Sequence, residues 1–150
     1  RGGLCIIFTL MTFEETGLDE ALVKRLIEIG FTTPTPIQSK AIPIALRGQD
    51  IIGLAQTGTG KTAAFTLPII QKILRHASNS ASPARHPIRA LVLTPTRELA
   101  AQVGESVRNY GKHLPLRSAI IFGGVLIIKL RTTLVPGLSR LLRRQRSSAA

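Results

Sequence analysis

Hydrophobic residues recur at helical spacing in four segments of the chain. The first segment follows Gly17, and its apolar residues are Leu18, Leu22, Leu26 and Ile29. Intervals of four, four and three residues place these side chains on one face of a helix. Asp19 suits the N-cap of this helix and Gly30 suits its C-cap. The pattern therefore predicts an amphipathic helix that ends before Pro34.

Three further helices are predicted downstream. Residues 37–46 carry an apolar period interrupted by Pro43, so we expect this helix to be kinked or split there and to end at Gly48. Residues 61–75 and 97–110 show the same helical period, and each range is predicted to form a helix.

Short apolar runs alternate with these helices. The runs cover residues 50–55, 89–94 and 116–122, and each is too short for a helix but suits a buried strand. Strands that alternate with helices over short connections favour right-handed crossovers and a parallel sheet covered on both faces. The chain is therefore predicted to be α/β, with its functional groups at the carboxyl ends of the strands. Residues 76–87 lack any period and predict a surface loop.

Composition limits the classes of protein to which the chain can belong. The chain has 150 residues, of which 44% are hydrophobic, which is enough apolar material for one domain core. No apolar run approaches the roughly 18 residues that a membrane-spanning helix needs, so we expect a soluble protein without a membrane partner. The single cysteine, Cys5, has no partner for a disulfide, and the three histidines show no metal-ligand spacing.

The net charge of +12 is unevenly distributed. All eight acidic residues lie between residues 11 and 124, whereas the last 26 residues carry six Lys and Arg side chains and no acid. An excess of positive charge favours a polyanionic partner such as nucleic acid. Residues 125–150, the tail of the chain, therefore differ in charge from the sequence that precedes them.

The strongest local motif is a glycine-rich segment between the first predicted strand and the third predicted helix. It reads Ala55, Gln56, Thr57, Gly58, Thr59, Gly60, Lys61 and Thr62. Glycines let successive backbone N–H groups point at one anion, and the helix N-terminus adds the positive end of its dipole. In such a loop Lys61 contacts the β- and γ-phosphates, and the Thr62 hydroxyl is a ligand for Mg²⁺. The motif predicts a nucleoside triphosphate with Mg²⁺.

Several short motifs, taken in order, resemble one family. Gly30-Phe31 followed by Pro34 to Gln38 resembles the Q motif of DEAD-box ATP-dependent RNA helicases, and Phe13 stands where that family keeps an isolated aromatic residue. The phosphate loop has the family's form, Pro95 to Ala100 is similar to its motif Ia, and Gly123-Gly124 resembles its double-glycine motif. The resemblance covers residues 11–124 and implies a partial RecA-like P-loop domain, with the Q motif in residues 11–39.

The resemblance implies a role for individual residues. Gln38 would read the adenine edge with its amide, and Phe13 would stack on the base. The phosphates would contact the loop residues Gln56, Thr57, Gly58, Thr59, Gly60, Lys61 and Thr62. RNA would be contacted through its backbone by Pro95, Thr96, Arg97, Gly123 and Gly124. Taken without the resemblance, Phe13 would be a core residue, Gln38 a solvent-facing helix residue and Thr96 an N-cap.

The family pattern stops after Gly124. Residues 125–150 contain neither the Asp-Glu-Ala-Asp box nor the Ser-Ala-Thr motif, and they form a basic tail that we interpret as a shifted reading frame, with a natural RNA-binding arm as the alternative. Residues 1–10 precede the only methionine, Met11, and are interpreted as an upstream extension. Because the acidic box would supply the carboxylates for Mg²⁺ and water, we expect negligible RNA-stimulated ATP hydrolysis and no unwinding from this chain alone.

The sequence thus predicts an ATP- and RNA-binding part of a DEAD-box ATP-dependent RNA helicase, whose whole protein would separate RNA duplexes with ATP. Two alternatives stay open. One is a non-catalytic module that binds nucleotide or RNA, and the other is a different P-loop NTPase, which Gln38 and residues 95–100 argue against. The resemblance implies a cytoplasmic, bacterial setting, and it identifies neither the RNA target nor any protein partner.

Overall fold

The computed structural model describes residues 11–75 and 88–121. Four α-helices occur within these ranges: α1 (Glu20–Glu28), α2 (Pro36–Leu46), α3 (Lys61–Leu74) and α4 (Arg97–Tyr110). A short 3₁₀ turn, Glu14–Thr16, precedes α1. The predicted extension 1–10, the loop 76–87, the double glycine and the tail 125–150 lie outside the described residues.

The helix predictions are confirmed. Helix α1 has Asp19 as its N-cap and ends one residue before Ile29, followed by Gly30 with a φ of 90°. The fourth predicted helix matches the bounds of α4, because Thr96 caps its first turn by accepting a hydrogen bond from the Leu99 N–H at 3.2 Å.

Helix α2 corrects one detail of the prediction. It continues through Pro43 instead of splitting there. A proline in a helix removes one backbone donor, but Ala41 and Ile42 beside it are buried, and their packing keeps the segment helical. Helix α3 likewise runs through Pro68, which is fully buried.

The structure assigns no strand within residues 11–75 and 88–121, so the predicted strands are not confirmed. Residues 50–55, 89–94 and 116–121 adopt neither helix nor strand, and the parallel sheet is therefore not observed there. Strands of a parallel sheet need neighbours on both edges and cover on both faces. Instead, Ile52 is 95% exposed and Leu54 is 91% exposed, so these side chains lack that cover.

The described residues fall into two compact units, divided between Lys72 and Ile73. In the first unit, residues from the 3₁₀ turn and from α1, α2 and α3 form the core. Its most deeply buried apolar side chains are Phe13, Leu22, Leu26, Ile42 and Leu67. This core fixes the start of α2 relative to the start of α3, and the candidate site lies at these two helix starts.

Helix α4 and the segment after it belong to the second unit. Val103 and Tyr110 are its buried apolar residues among those described. A Cβ added at Gly104 would overlap the Ile120 side chain, so α4 and residues 116–121 approach closely at this glycine. The N–H of Gly111 donates to Val107 O at 2.9 Å and ends the helix.

Tyr110 gives the second unit a pH dependence that can be measured. Burial raises the pKa of its phenol above the ordinary 10.0, and a hydrogen bond with Ser106 lowers it by less. The unfolded chain therefore loses this proton at a lower pH than the folded chain. Neutral Tyr110 stabilises the fold fully below pH 10, and this contribution is lost as the pH rises through the folded pKa.

Because the chain has one tyrosine and no tryptophan, ultraviolet absorbance reports this group alone. We expect phenolate to appear above the ordinary pKa and together with loss of helical circular dichroism. Tyr110→Phe should remove this part of the alkaline destabilisation. Phenolate formation at pH 10 with full helicity would contradict the prediction.

Candidate functional site

The glycine-rich loop lies between residues 50–54 and the first turn of α3. Gly58 and Gly60 have φ angles of 84° and 85°, in the left-handed region that favours glycine. The Thr59 hydroxyl donates to Gln56 O at 2.7 Å and closes the turn between them. The backbone is therefore curled in the way that a phosphate-binding loop requires.

Lys61 is directed into this loop. Its ammonium donates to Gln56 O at 2.8 Å and also to Ala55 O. Lys61 and Thr62 are half-buried at the N-terminus of α3, where the helix dipole favours an anion. A cation, a hydroxyl and a helix start thus lie together at the loop, as the sequence predicts.

Gln38 connects the loop to α2. Its side-chain carbonyl accepts a hydrogen bond from the Thr35 N–H at 3.0 Å, which caps α2. Its side-chain NH₂ donates to Gly60 O at 3.2 Å. The side chain is 1% exposed, so Gln38 is a buried link between two elements and not a solvent-facing residue.

Thr35 makes a second link at the same place. Its hydroxyl donates to Thr59 O at 2.9 Å. Two successive loop carbonyls, those of Thr59 and Gly60, are therefore held by the first turn of α2. The motif that contains Gln38 and the phosphate loop form one hydrogen-bonded site, although 22 residues separate Gln38 from Gly60.

Two aromatic rings lie beside each other in the same unit. The centroids of Phe13 and Phe31 are 6.3 Å apart, and the ring planes are tilted by 60°. Phe13 is 2% exposed, whereas Phe31 is half-buried. Phe13, which the resemblance assigns to stacking on the base, therefore packs inside the core beside Phe31, whereas Phe31 keeps part of its surface accessible.

The segment predicted to contact RNA lies at the start of α4, in the second unit. Pro95, Thr96 and Arg97 are exposed there. The Thr94 hydroxyl donates to Thr96 O at 3.2 Å, and the Thr96 hydroxyl caps α4. The guanidinium of Arg97 is therefore presented at a helix N-terminus, where a phosphodiester group is favoured. Gly123 and Gly124 lie outside the described residues.

Few of the described side chains could be ligands for a metal ion. The described residues contain no group of three or more His, Cys, Asp or Glu side chains that could hold an ion. Thr62 offers one hydroxyl at the start of α3, which fits Mg²⁺ bound mainly by phosphate oxygens and water.

Two residues of the site were assigned no contact from the sequence. Phe31 was quoted only as part of a motif, and the hydroxyl of Thr35 was given no partner. The position of Thr35 between two prolines at a helix start is the signal that indicates an N-cap. Its bond to Thr59 spans 24 residues and has no local signature.

No helix within the described ranges is both long enough and apolar enough to cross a membrane.

Comparison with known proteins identifies the same segment of the chain. The DEAD/DEAH box helicase family model matches residues 35–141. This match reaches past Gly124, where the sequence analysis places the end of the family-like region, and that boundary stays a prediction.

Two curated relatives illustrate the similarity. The chain is 47% identical over 118 residues to the DEAD-box ATP-dependent RNA helicase RhpA of Helicobacter pylori, which covers 79% of this chain and 22% of that protein. It is 50% identical over 117 residues to the ATP-dependent RNA helicase SrmB of Escherichia coli, covering 78% of this chain and 26% of SrmB. The chain thus spans about a quarter or less of the length of these relatives.

Two solved structures have a similar fold. A DEAD box protein from Methanococcus jannaschii is 36% identical with a TM-score of 0.72, covering 83% of this chain and 32% of that chain. The RNA helicase Prp28 from Chaetomium thermophilum bound to ADP is 38% identical with a TM-score of 0.65, covering 89% of this chain and 31% of that chain.

The geometry of Gly60 yields a prediction for the loop. A Cβ at this position would overlap the Gln38 side-chain nitrogen, and the φ of 85° is strained for any other residue. Gly60→Ala should therefore cost about 1–3 kcal/mol at the loop and weaken tripolyphosphate binding about tenfold or more. Isothermal titration calorimetry measures the affinity, and thermal unfolding measures the stability.

Gly53→Ala is the matched control, because a Cβ there meets only Ile37 at an ordinary 3.9 Å. It should leave tripolyphosphate affinity unchanged. Equal affinities for wild type and Gly60→Ala would show that the left-handed backbone at this residue does not matter for the anion.

Proposed function

Because the chain belongs to the DEAD/DEAH box helicase family, we propose that residues 11–62 bind ATP and that residues 95–97 contact RNA. The observation that carries this proposal is the bond from Gln38 to Gly60 O, which joins the residue expected to read the base to the loop expected to hold the phosphates. The whole protein uses ATP to separate RNA duplexes in the cytoplasm. The relatives' names support this activity.

The phosphates bind at the loop. The curled backbone of Gln56, Thr57, Gly58, Thr59 and Gly60 offers N–H donors around one anion, and the start of α3 adds its dipole. Lys61 exchanges its two carbonyl partners for phosphate oxygens, which are stronger acceptors because they are charged. When bound, Mg²⁺ would neutralise phosphate charge, and Thr62 would be its protein ligand.

The adenine base binds beside Gln38. An amide NH₂ has two donors and its carbonyl has two lone pairs, and the two observed hydrogen bonds use one of each. The remaining donor and acceptor match the paired acceptor and donor of an adenine edge. Phe31 offers the accessible ring face, and Phe13 supports it from behind, so the two rings together provide the stacking surface.

RNA binds through its backbone at the start of α4. Arg97 provides the charge, Thr96 the capped helix start and Pro95 the turn that precedes it. We also propose that Gly123 and Gly124 contact RNA, because a glycine lets a sugar-phosphate backbone approach closely. In the RecA-like fold that we propose, residues 50–55, 89–94 and 116–122 are strands of a parallel sheet, and the similarity to solved DEAD-box structures supports that arrangement.

What this chain does alone follows from its charged groups. It supplies cations and hydroxyls for phosphate but not the acidic box that orients the attacking water. We therefore propose binding of ATP and RNA as the role of these residues. A different P-loop enzyme is disfavoured by the family match and by the place of Gln38 in the site.

Base selectivity tests the proposal most directly. Wild type should bind ATP more tightly than GTP, because a guanine edge presents the opposite pattern of donor and acceptor to Gln38. Gln38→Ala should remove this preference and weaken ATP binding about tenfold, since buried hydrogen bonds contribute about 1 kcal/mol each. Titration calorimetry with both nucleotides measures the ratio of the two dissociation constants.

The exposed Gln49 serves as the control, because Gln49→Ala changes the same residue type near the end of α2 without touching the loop. Tripolyphosphate is titrated as well, to separate base recognition from loop geometry. If Gln38→Ala kept the wild-type ratio of ATP to GTP affinity, Gln38 would not read the base.

The RNA proposal predicts a change in salt dependence. If Arg97 neutralises one phosphate, Arg97→Ala should lower the slope of log affinity against log salt by about 0.7 on single-stranded RNA. Fluorescence anisotropy with a labelled oligonucleotide at several salt concentrations measures that slope. Arg108→Ala removes an equally exposed arginine near the other end of α4 and should not change the slope. Equal slopes for wild type and Arg97→Ala would show that Arg97 does not neutralise an RNA phosphate.

A further inference from the structure

Gln71 is a buried polar residue that takes no part in the proposed phosphate and base contacts. It lies near the end of α3 and is 3% exposed. Its side-chain NH₂ donates to Gly17 O at 2.9 Å, and its side-chain carbonyl accepts from the Asp19 N–H at 2.9 Å. One amide thus holds two backbone groups that lie 54 and 52 residues away.

The segment that Gln71 holds contains Phe13. The N–H and hydroxyl of Thr16 both donate to Phe13 O, at 3.2 and 2.5 Å, and the Gly17 N–H donates to Glu14 O at 3.1 Å. Gly17 has a φ of 86°, which directs the chain into α1. Residues 13–17 therefore form one hydrogen-bonded turn, and an anchor at Gly17 restrains Phe13 at its other end.

Helix α3 carries this anchor and the phosphate loop together. The helix begins at Lys61, and Gln71 follows ten residues later, about 15 Å along the axis. The loop is fixed to the start of the helix, and the turn that contains Phe13 is fixed near its end. The phosphate loop and the turn that contains Phe13 are thus both attached to helix α3.

We propose that Gln71 is a positioning residue for adenine recognition, because it holds the turn that places Phe13 behind Phe31. This inference rests on the proposed function, in which these two rings support the base. Gln71 touches neither base nor phosphate, and its effect passes through residues 13–17. The Gly17 carbonyl and the Asp19 N–H both meet the buried Gln71 amide, and glutamine supplies the one donor and the one acceptor that these two groups take up.

A double-mutant cycle on this chain tests the proposal. Gln71→Met keeps the length and volume of the side chain but removes both hydrogen bonds, and Phe13→Leu keeps an apolar side chain but removes the ring. ATP, GTP and tripolyphosphate are titrated into wild type, both single variants and the double variant. Ile70→Val changes a buried apolar neighbour on α3 and reports the effect of a small packing loss alone.

We expect Gln71→Met to weaken ATP binding about tenfold, since two buried hydrogen bonds are lost, and to reduce the preference for ATP over GTP. Tripolyphosphate affinity should stay within about twofold of wild type, because the loop and Lys61 are unchanged. The double variant should bind ATP as tightly as Phe13→Leu does. This result is expected because Gln71 is proposed to act only through Phe13, so its loss has no further effect once the ring is gone. Ile70→Val should bind all three probes as wild type does.

Four results would overturn the inference. Equal loss of ATP and tripolyphosphate affinity in Gln71→Met would mean that Gln71 only supports the fold. Additive losses in the double variant would mean that it acts independently of Phe13. If wild type bound ATP and GTP equally, the proposed function would fail and the inference with it. If Phe13→Leu lost the preference for ATP but Gln71→Met kept it, the inference alone would fail.

Discussion

The hydrogen bond from the Gln38 amide to Gly60 O is the interaction on which the site depends. Gly60 can accept it because a residue without a Cβ leaves room for the approaching amide, and because its left-handed backbone turns the loop toward α2. Without this bond, Gln38 and the loop proposed to bind phosphate would be joined only by the bond from Thr35 to Thr59 O and by the core beneath them. The bond from Thr35 to Thr59 reinforces the same contact one residue earlier.

Helix α3 serves the site in two ways. Its first turn provides the positive end of the dipole together with Lys61 and Thr62, and its buried face packs into the core through Leu67. Because Gln71 lies on the same helix, the groups proposed to bind the phosphates and the turn that contains Phe13 are attached to one element. Rigid support of this kind is what allows a few hydrogen bonds to discriminate between ligands.

Local signals in the sequence were sufficient for the helices but not for the sheet. Thr96 marks the start of α4 correctly, because its cap is formed with a residue three positions away. Strands at residues 50–55 and 89–94 depend on neighbours that a local pattern does not specify, and Ile52 stays exposed. The phosphate loop was identified from its glycines and Lys61. The burial of Gln38 was not, because its partner is 22 residues distant and a solvated glutamine has the same local pattern.

The absence of a side chain at Gly60 also has a genetic consequence. Every missense change of a glycine codon adds at least a Cβ, and at this position that atom collides with the Gln38 amide. A substitution at residue 60 therefore forces the Gln38 amide to move and also strains the left-handed backbone of the loop. Any side chain tolerated at position 60 would require a different side-chain conformation at position 38, with loss of the bond that joins the two elements.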